Sequence, residues 1–591
     1  EKTSYIERNY RGYAVGAAEP GDALYKAALM PYGGQLTNNN NTMNSLDMQH
    51  KLVASHTFNE IHRINGMLGF EMRSSKTYGK GTNVWGYVPE RGESLISPSK
   101  PEDIVPIGGE QSIGWGALKG LFEGGWNSVN NTSNYVSFFG TAAYSLKNRY
   151  VVNMNIRSDA SNRFGQDKRK QFDPTYSFGV SWKIAEEKFF KEHVQWIDQL
   201  NLRATYGIQG NVVNSISPEL IASYGGLLSG YNEYYTTISS LPNPYLKWER
   251  TKTWNFGLDM QLFRGISMNL EYYGRRSNAI IEQDVAEEYG MGTLRLNGGI
   301  IVNHGIEWSM NITPIKTKDW TVNIGLNASK NWNKTETDDR TARADQLTQR
   351  DFISGNSDRP LRKGYSLYAF WAYDFTGLDH ETGLPTFRGT SQKAPEDGGD
   401  KSIDPTTFLV YAGESEPYFT GGINPRVRWK DLQVSASFAL ILGSKKRLPN
   451  PYSSFTNGKM PSPLSNLSKQ LLNRWKQPGD EAHTNIPGLY TSVLDELNLY
   501  TPDGLFTNRY DMWAQSTARL VSGSFLRCSQ LSISYYLPKA VCRKIRATSI
   551  SISGNTNNLF VIASKKWNGY DPETGSSKQP KIYSFGLSVS F

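Results

Sequence analysis

The C-terminal stretch YSFGLSVSF, residues 583–591, shows the pattern that decides the fold. Its odd-numbered positions are large and apolar, whereas the even-numbered positions are Ser584, Gly586, Ser588 and Ser590. Successive side chains of a β-strand point to opposite faces, so this stretch predicts a strand with one apolar face and one small, polar face. The apolar set is Tyr583, Phe585, Leu587, Val589 and Phe591.

The same alternation recurs in pairs of segments joined by short turns. Apolar residues alternate with polar ones over residues 254–262 and again over 266–272, on either side of a turn at 264–265. Two alternating segments joined by a few turn residues predict a β-hairpin. Further alternating pairs flank turns near 316–319 and at 430–431.

The composition allows a membrane-spanning sheet but no membrane-spanning helix. The chain has 591 residues, 38% of them hydrophobic, with 33 Tyr, 25 Phe and 15 Trp. Its mean hydropathy is -0.53. No run approaches the roughly 20 consecutive apolar residues that a spanning helix needs. Strands that face lipid on one side only give a low mean hydropathy, so these totals remain compatible with a membrane β-barrel.

A soluble β-sandwich also has alternating strands, but two features favour a membrane barrel. The alternating runs reach nine to eleven residues, which suits a tilted strand crossing a bilayer, whereas sandwich strands usually have about 5 to 6 residues. Short and long connections alternate along the chain, as periplasmic turns and outer loops do. The long connections are expected near 79–132, 211–247, 280–300, 334–418, 446–522 and 562–580. The sequence therefore predicts an all-β, transmembrane antiparallel β-barrel with short periplasmic turns and long extracellular loops. We expect about 15 or 16 strands, of the 22 in a plugged outer-membrane transporter.

The C-terminal aromatic residue is typical of bacterial outer-membrane barrels. Following the order of short and long connections to the end of the chain places Phe591 on the periplasmic side. We therefore interpret residues 583–591 as the terminal strand that the barrel-assembly machinery recognises.

Charge and rare residues argue against several other classes of protein. The net charge is +9, but the basic residues neither cluster on one helix nor interleave with stacking aromatics, as nucleic-acid grooves require. Cys528 and Cys542 are too few for a disulfide framework, and the seven His form no HExxH pair. The GxSxG, GxxxxGK[ST] and GxGxxG motifs are absent. The sequence therefore predicts no enzyme activity, no metal site, no cofactor and no nucleic-acid partner.

Several stretches resemble SusC/RagA-type TonB-dependent transporters of Bacteroidetes. They occur in family order over residues 157–591, whereas residues 1–156 match by pattern only, through a strand around 69–71. The matching stretches are RSDASNRFG at 157–165, SFGVSWKIAEEKF at 177–189, LRATYGIQGN at 202–211, NPYLKWE at 243–249, NHGIE at 303–307, RWKQPGD at 474–480, GSFLR at 523–527 and GYDPE at 569–573.

The resemblance implies active import of oligosaccharides or oligopeptides across the outer membrane. It also implies energy from the TonB-ExbB-ExbD complex, a SusD-like surface lipoprotein that covers the barrel mouth as a lid, and a possible dimer of such pairs. Outer-membrane lipid and lipopolysaccharide would surround the barrel. The family's plug domain and TonB box have no counterpart in this sequence, so we expect residues 1–591 to form part of the barrel domain, with the missing strands upstream.

Aromatic residues in the long connections are candidates for solute binding, since flat rings suit sugar faces and peptide side chains. The alternative for each is loop packing or a place in the headgroup girdle. The long connections at 334–418 and 446–522 are where a lid could rest. The candidate binding residues are Trp85, Tyr87, Trp115, Trp126, Tyr231, Tyr234, Tyr235 and Trp475.

Three other functions compete with active import. A passive porin would lack a plug in its upstream sequence, and a soluble carbohydrate-binding β-protein would extract into water without detergent. An outer-membrane enzyme would need a Ser/His/Asp cluster on the barrel wall, and none of the alternating strands shows one. The choice between glycan and peptide as the solute lies beyond the sequence, because one fold supports many functions.

Overall fold

The computed structural model of the protein contains two compact units. One comprises residues Glu1–Leu52, Met67–Gly140 and Arg157–Pro174, and the other comprises Val53–Gly66, Thr141–Ile156 and Thr175–Phe591. The structure describes residues 2–6, 34–89, 92, 94–95, 126–162, 172–211, 220–228, 233–243, 246–263, 265–284, 293–337, 353, 362–400, 403, 408–452, 458, 467–489 and 497–591.

Antiparallel strands dominate the described residues. In chain order they are β1 (Lys2–Ile6), β2 (Gly34–Phe58), β3 (His62–Val88), β4 (Ser94–Leu95), β5 (Trp126–Leu146), β6 (Tyr150–Ser161), β7 (Phe172–Lys183), β8 (Ile197–Asn211), β9 (Ile221–Leu228), β10 (Glu233–Ser240), β11 (Glu249–Leu262), β12 (Ile266–Asp284), β13 (Thr293–Lys316), β14 (Trp320–Thr335), β15 (Ala369–Tyr373), β16 (Phe375–Leu378), β17 (Pro385–Phe387), β18 (Leu409–Glu414), β19 (Phe419–Trp429), β20 (Leu432–Leu442), β21 (Lys445–Arg447), β22 (Asn498–Tyr500), β23 (Phe506–Asn508), β24 (Leu520–Ser522), β25 (Phe525–Tyr536), β26 (Ser549–Ala563) and β27 (Ile582–Ser590).

One large sheet takes in most of these strands. In the described part of the chain, 17 strands belong to it, namely β1–β8, β11–β14, β19, β20 and β25–β27. The remaining strands form two-stranded ribbons, which are β9 with β10, β15 with β18, β16 with β17, β21 with β24, and β22 with β23. Fifteen strands of the large sheet have nine or more residues, which agrees with the predicted 15 or 16.

Helices are few and short. Three α-helices of six residues each are described, α1 (Lys188–His193), α2 (Arg509–Ala514) and α3 (Lys539–Lys544). None of the helices in the described ranges has the length and apolar character to cross a membrane. One-turn 3-10 helices occur at Ile184–Glu186, Glu396–Gly398, Lys469–Asn473, Asp480–Ala482, Thr517–Arg519 and Lys565–Trp567.

The predicted hairpins are confirmed in position, and the structure supplies their register. Leu262 pairs with Ile266 across the first turn, and the backbone N–H of Gly265 donates to the carbonyl of Leu262. Trp429 pairs with Leu432 across the turn at 430–431, where Lys430 has a positive φ of 50°. Hairpin turns this tight require left-handed backbone, which explains that conformation.

Several strands are longer than the alternation predicted, which corrects the expected loop boundaries. The predicted long connection at 79–132 is shortened, because β3 continues to Val88 and β5 begins at Trp126. Likewise β12 and β13 leave only residues 285–292 between them, inside the predicted connection at 280–300. Alternation marks a strand only where one face is apolar, so it cannot detect strand segments that are polar on both faces.

The width of the apolar face is visible along β14. Trp320, Val322, Ile324, Leu326 and Ala328 share one face, and the same face then continues to Lys330 and Trp332. The Lys330 ammonium lies 4.7 Å from the centre of the Trp332 ring. With a rise of about 3.4 Å per residue and a tilt of about 45°, Trp320 to Lys330 spans roughly 24 Å across a bilayer. That distance matches the apolar band of an outer-membrane barrel, about 25 Å.

An aromatic belt marks the end of the strands where the short turns lie. It consists of pairs of aromatic rings on neighbouring strands or turns. All of these rings are partly exposed. Tryptophan and tyrosine prefer the boundary between lipid and water, so this short-turn end lies at a membrane surface. The stacked pairs are Trp196 with Phe263 at 5.2 Å, Trp320 with Trp429 at 5.7 Å and Tyr150 with Trp182 at 6.4 Å.

Two long connections fold together into a loop module, defined as the described residues within 353–414 and 445–522. Its interior is a cluster of buried apolar side chains drawn from both connections. Trp371, Tyr373, Tyr510 and Trp513 are each at most 1% exposed. The module therefore has its own hydrophobic core, which two unstructured loops would lack.

Arg447 holds three segments of the loop module together. Its Nη2 donates to the carbonyls of Trp371 at 2.6 Å and Gln515 at 3.0 Å, and its Nη1 donates to that of Ile353 at 3.1 Å. Burial lowers the pKa of Arg447 to about 10. Even so, the side chain stays charged at neutral pH, and backbone carbonyls solvate it in place of water.

A buried ion pair joins β25 to the connection between β26 and β27. Arg527 Nη2 lies 2.7 Å from Asp571 Oδ1 and 2.9 Å from Oδ2, and both side chains are at most 6% exposed. Asp571 Oδ1 also accepts the backbone N–H of Glu573 at 2.9 Å. Arg527 Nε lies 3.1 Å from the Glu573 carboxylate, which is half exposed.

Replacing Arg527 by methionine should destabilise the protein strongly. The substitution leaves the Asp571 carboxylate buried without its cation, which costs about 3–5 kcal/mol in comparable pairs. Denaturant titration in detergent micelles measures the change. Glu573→Gln is the control, because the carboxylate is exposed and the expected loss is about 0–1 kcal/mol. Equal stability of the two variants would show that the pair does not hold this connection.

Adjacent substitutions on β13 should separate the two faces of the sheet. Met310 shares the apolar face with Leu326, its partner across the ladder, whereas Ser309 is on the polar face. Lysine at the middle of a lipid-facing band costs about 2–4 kcal/mol, and lysine on a lumen face is tolerated. We expect Met310→Lys to lower the unfolding free energy in lipid vesicles by that amount. Ser309→Lys is the matched control, and a larger loss there would reverse the assignment of faces.

Candidate functional site

A charged network lies on the polar face of β8, β11 and β12. Arg203 Nε is 2.9 Å from Asp259 Oδ2, and Arg203 Nη2 is 3.0 Å from Glu271 Oε1. A Cβ at Gly257, the residue opposite Arg203, would lie 3.1 Å from the guanidinium, so the glycine makes room for it. Asn255 and Asn269 donate to the two carboxylates. Such a network requires a hydrated surface and could not face lipid.

A second network covers the polar face of the other unit. Arg157 Nε is 2.7 Å from Asp159 Oδ1, and Arg157 Nη2 donates to the Ser137 hydroxyl at 2.9 Å. The same Nη2 is 3.3 Å from Glu71. Arg157 and Asp159 belong to the stretch RSDASNRFG, so that stretch supplies wall residues of the polar face.

Amides and hydroxyls cover much of the remaining polar face. They bond to each other across neighbouring strands. A wall of this kind suits a path for hydrated, polar solutes. The cross-strand bonds include Asn333 to Asn303 at 2.7 Å, Ser437 to Asn424 at 2.7 Å and Asn323 to Thr313 at 3.1 Å.

The loop module contains a polar hollow of about 400 Å³. Leu384, Phe387 and Leu499, all buried, form its floor. Asp379 lies on its wall, and hydrogen bonds from Thr382 hold the pKa of that carboxyl below its usual value. The hollow has the size of a small-ligand site and combines hydroxyls, carboxylates and a guanidinium over an apolar base.

Trp475 is fixed in a hydrogen-bonded turn of the loop module. Its indole N–H donates to Glu481 at 3.2 Å, and its ring packs so closely on Gly383 that a Cβ there would lie 2.2 Å from it. His380 Nδ1 lies 2.6 Å from Glu481 Oε1. This bond lowers the pKa of Glu481 to about 2 and raises the pKa of His380. Trp475 is therefore a half-buried residue whose ring packs within the loop module.

Of the other predicted aromatic residues, only Tyr87 and Tyr235 have side chains in the described part of the chain. Tyr87 is half-buried in β3, where it pairs with Leu95. Tyr235, in β10, is 43% exposed. Trp85, Trp126 and Tyr234 are strand residues whose side chains lie outside the described part, and Trp115 and Tyr231 lie outside the described residues altogether. Their role in binding stays a prediction.

The terminal strand agrees with the pattern that opened the sequence. β27 pairs with β26 in register, with Phe585 opposite Gly554 and Leu587 opposite Ile552. Phe585 is 90% and Phe591 is 87% exposed. Large apolar rings exposed in this way mark a surface that contacts an apolar environment, such as lipid. Recognition of this strand by the assembly machinery stays a prediction.

Sequence reasoning missed the aromatic belt and the ion pair between 523–527 and 569–573. The position of the belt residues beside short connections is a signal that the sequence does contain. These residues are Trp196, Phe263, Trp320 and Trp429. The partner of Arg527 could not be found by spacing, because 44 residues separate it from Asp571.

Within the described ranges, no group of three or more His, Cys, Asp or Glu is placed to hold a metal ion.

Comparison with known proteins gives consistent relatives. The TonB-dependent receptor SusC of Bacteroides thetaiotaomicron is 27% identical over 485 residues, which cover 77% of this chain and 44% of that protein. The TonB-dependent receptor P3 of Formosa agariphila is 25% identical over 467 residues, 76% of this chain and 43% of that protein. The chain thus spans less than half the length of these curated relatives.

Solved structures show the same fold. The RagAB peptide transporter superposes with a TM-score of 0.70 at 22% identity, covering 94% of this chain and 56% of that one. The RagAB peptide importer in its open-open state gives a TM-score of 0.71 at 21% identity, covering 100% and 57%. At these identities the likeness concerns the fold.

A family profile covers most of the chain. The profile described as "TonB dependent receptor-like, beta-barrel" matches residues 3–440. The match begins far upstream of residue 157, where the recognisable stretches start, so the N-terminal strands that resembled the family by pattern alone are included. The two-faced strands, the aromatic belt, the polar face and this match agree: the chain belongs to the TonB-dependent receptor β-barrel family of the bacterial outer membrane.

Proposed function

We propose that this chain is the barrel part of an active nutrient importer that moves oligosaccharides or oligopeptides into the periplasm. The observation that carries the proposal is the separation of faces, with an apolar band about as thick as a bilayer on one side and the Arg203 network on the other. The names of the relatives, a TonB-dependent receptor SusC and a RagAB peptide transporter, support import driven through TonB.

The import needs no covalent chemistry from this chain. A polar path, a gate and a solute-binding outer surface are sufficient for transport, and the relatives are named as receptors, transporters and importers. Two observations argue against the alternative of a soluble carbohydrate-binding protein, namely the family membership of the chain and the exposed rings of the aromatic belt. A passive porin remains the competing transport function, and dependence on TonB separates the two.

The loop module is our proposed resting place for a SusD-like lipoprotein lid. It is folded around its own core, so it can present a defined surface, which flexible loops would have to order at an entropic cost. The TonB-ExbB-ExbD complex would act through parts of the protein beyond this chain, and a dimer of such pairs is a further expectation from the resemblance.

Exposed aromatic residues of the outer connections are proposed to contact the solute. Tyr235 supports this best, because it is 43% exposed on a two-stranded ribbon separate from the large sheet. Trp475 supports it less, since its indole is bonded to Glu481 and packed on Gly383.

Growth of a deletion strain tests the import function. Removal of the gene should abolish growth on one class of oligosaccharide or oligopeptide as sole nutrient, and growth on the corresponding monomers should be unchanged. Complementation with the full-length protein should restore growth only in cells with functional TonB. Restoration in cells without TonB would favour a passive porin, and unchanged growth on every solute would end the importer proposal.

Cysteine labelling tests which end of the strands faces the cell exterior. Lys476 lies on the loop module and Lys318 lies in the short turn between β13 and β14, and both are exposed. The native cysteines, Cys528 and Cys542, are buried. A membrane-impermeant maleimide should therefore label Lys476→Cys in intact cells, and Lys318→Cys only after the outer membrane is opened. The opposite order would invert the topology.

A further inference from the structure

The polar hollow of the loop module has a buried base and an exposed rim. Eight of its eleven lining residues are polar, so a solute would meet mainly hydrogen-bonding groups there. Leu384, Phe387 and Leu499 form the base and are at most 6% exposed. Glu381 and Gln392 are exposed at the rim. The hollow, of about 400 Å³, is therefore a small-ligand site that opens at the surface of the module.

Three exposed side chains at the rim offer a carboxylate, a hydroxyl and an amide. They belong to Glu381, Ser391 and Gln392. Within the described ranges, the Glu381 carboxylate and the Gln392 amide form no hydrogen bond. The Ser391 hydroxyl oxygen accepts the backbone N–H of Lys393 at 3.0 Å and keeps its own hydrogen to donate. The rim therefore presents both donors and acceptors to a solute.

The Glu381 carboxylate is carried by a turn whose conformation is fixed. Asp379 Oδ1 accepts the backbone N–H groups of Glu381 at 3.1 Å and Thr382 at 2.8 Å. The backbone N–H of Gly383 donates to the Asp379 carbonyl at 2.9 Å, and the Trp475 ring packs on that glycine. A pre-formed wall binds a ligand without the entropic cost of ordering a loop. Trp475 thus acts as a positioning residue for this wall.

The charges of the lining favour an uncharged solute. Asp379 and Glu381 supply two carboxylates, and Arg509 supplies one guanidinium. Because carboxylates outnumber guanidinium groups, an anionic solute would be repelled. Other charged side chains in the same segments balance one another. They are Arg388 paired with Asp374, His380 paired with Glu481, and the oppositely charged Lys393 and Glu396.

The strand edges at the hollow are poorly suited to an added peptide strand. β17 pairs with β16 through one edge. On its other edge, Pro385 has no N–H, and its carbonyl accepts from Arg509 at 3.3 Å. The Phe387 carbonyl on the same edge accepts from the Thr390 hydroxyl at 3.0 Å. β22 pairs with β23 on one side and is bridged to Ser391 on the other. Extended peptides bind through open edges, so the hollow favours a solute other than a peptide.

We propose that the polar hollow binds a neutral sugar unit of an oligosaccharide. Glu381, Ser391 and Gln392 bond to the sugar hydroxyls, and the sugar C–H groups lie over the apolar base. Each sugar hydroxyl both donates and accepts, which matches an accepting carboxylate beside a donating hydroxyl and an amide that does both. The inference rests on the proposed import function and assigns its solute to the oligosaccharide class.

Binding to immobilised solutes tests this assignment. The full-length protein in a mild detergent is applied to arrays of neutral oligosaccharides, of acidic and sulfated oligosaccharides, and of hexapeptides. We expect the tightest binding on the neutral array. Gln392→Ala should weaken that binding about tenfold through the loss of hydrogen bonds, and Glu381→Ala should weaken it at least as much, because its acceptor is charged. Gln477→Ala is the matched control, since it removes an exposed glutamine of the same module outside the hollow.

Several results would overturn the proposal. They are tighter binding to peptides or acidic solutes, no binding to any array, and equal affinity of the two hollow variants and Gln477→Ala for neutral oligosaccharides. Glu381 and Gln392 are exposed, so their variants should fold, and thermal unfolding in detergent checks this. The growth test keeps the two proposals apart. TonB-dependent growth on peptides alone would retain the import function and refute the sugar assignment.

Discussion

The structure depends on one constraint, which is that backbone N–H and C=O groups crossing an apolar medium must be bonded to each other. Antiparallel pairing meets this requirement, and it runs from β7 and β8 through β11 to β14 and on to β19, β20 and β25–β27, with local register shifts at five of the interfaces. Because a shift of one residue would turn every apolar side chain to the polar face, the alternation fixes this register.

Three of the stretches that identify the family have an architectural role here. GSFLR at 523–527 supplies Arg527, and GYDPE at 569–573 supplies its partner Asp571. In NPYLKWE at 243–249, Leu246 and Trp248 are buried, and Glu249 accepts the backbone N–H of Ile280 at 2.9 Å. In these three stretches the resemblance therefore identifies the scaffold.

Aromatic residues in this protein fall into three groups, and the sequence marks only one of them, the belt residues beside the short turns. Trp196, Trp320 and Trp429 belong to the aromatic belt, where a ring meets both lipid and water. Trp371 and Trp513 form the centre of the loop module and are at most 1% exposed. Tyr235 stands exposed on a ribbon of the outer connections. Burial, which depends on residues distant in sequence, separates the centre of the loop module from the two exposed groups, so an aromatic residue in a long connection is weak evidence for a binding site by itself.

The sequence alone determined the strands, their two faces, the hairpins at 264–265 and 430–431, and a count of about 15 strands, because alternation and turn chemistry are local. It also determined the family, through the stretches between 157 and 591. Only the tertiary structure decided that residues within 353–414 and 445–522 fold as one module and that Arg527 pairs with Asp571. Each of these depends on contacts between distant segments, and no spacing in the chain encodes which segments meet.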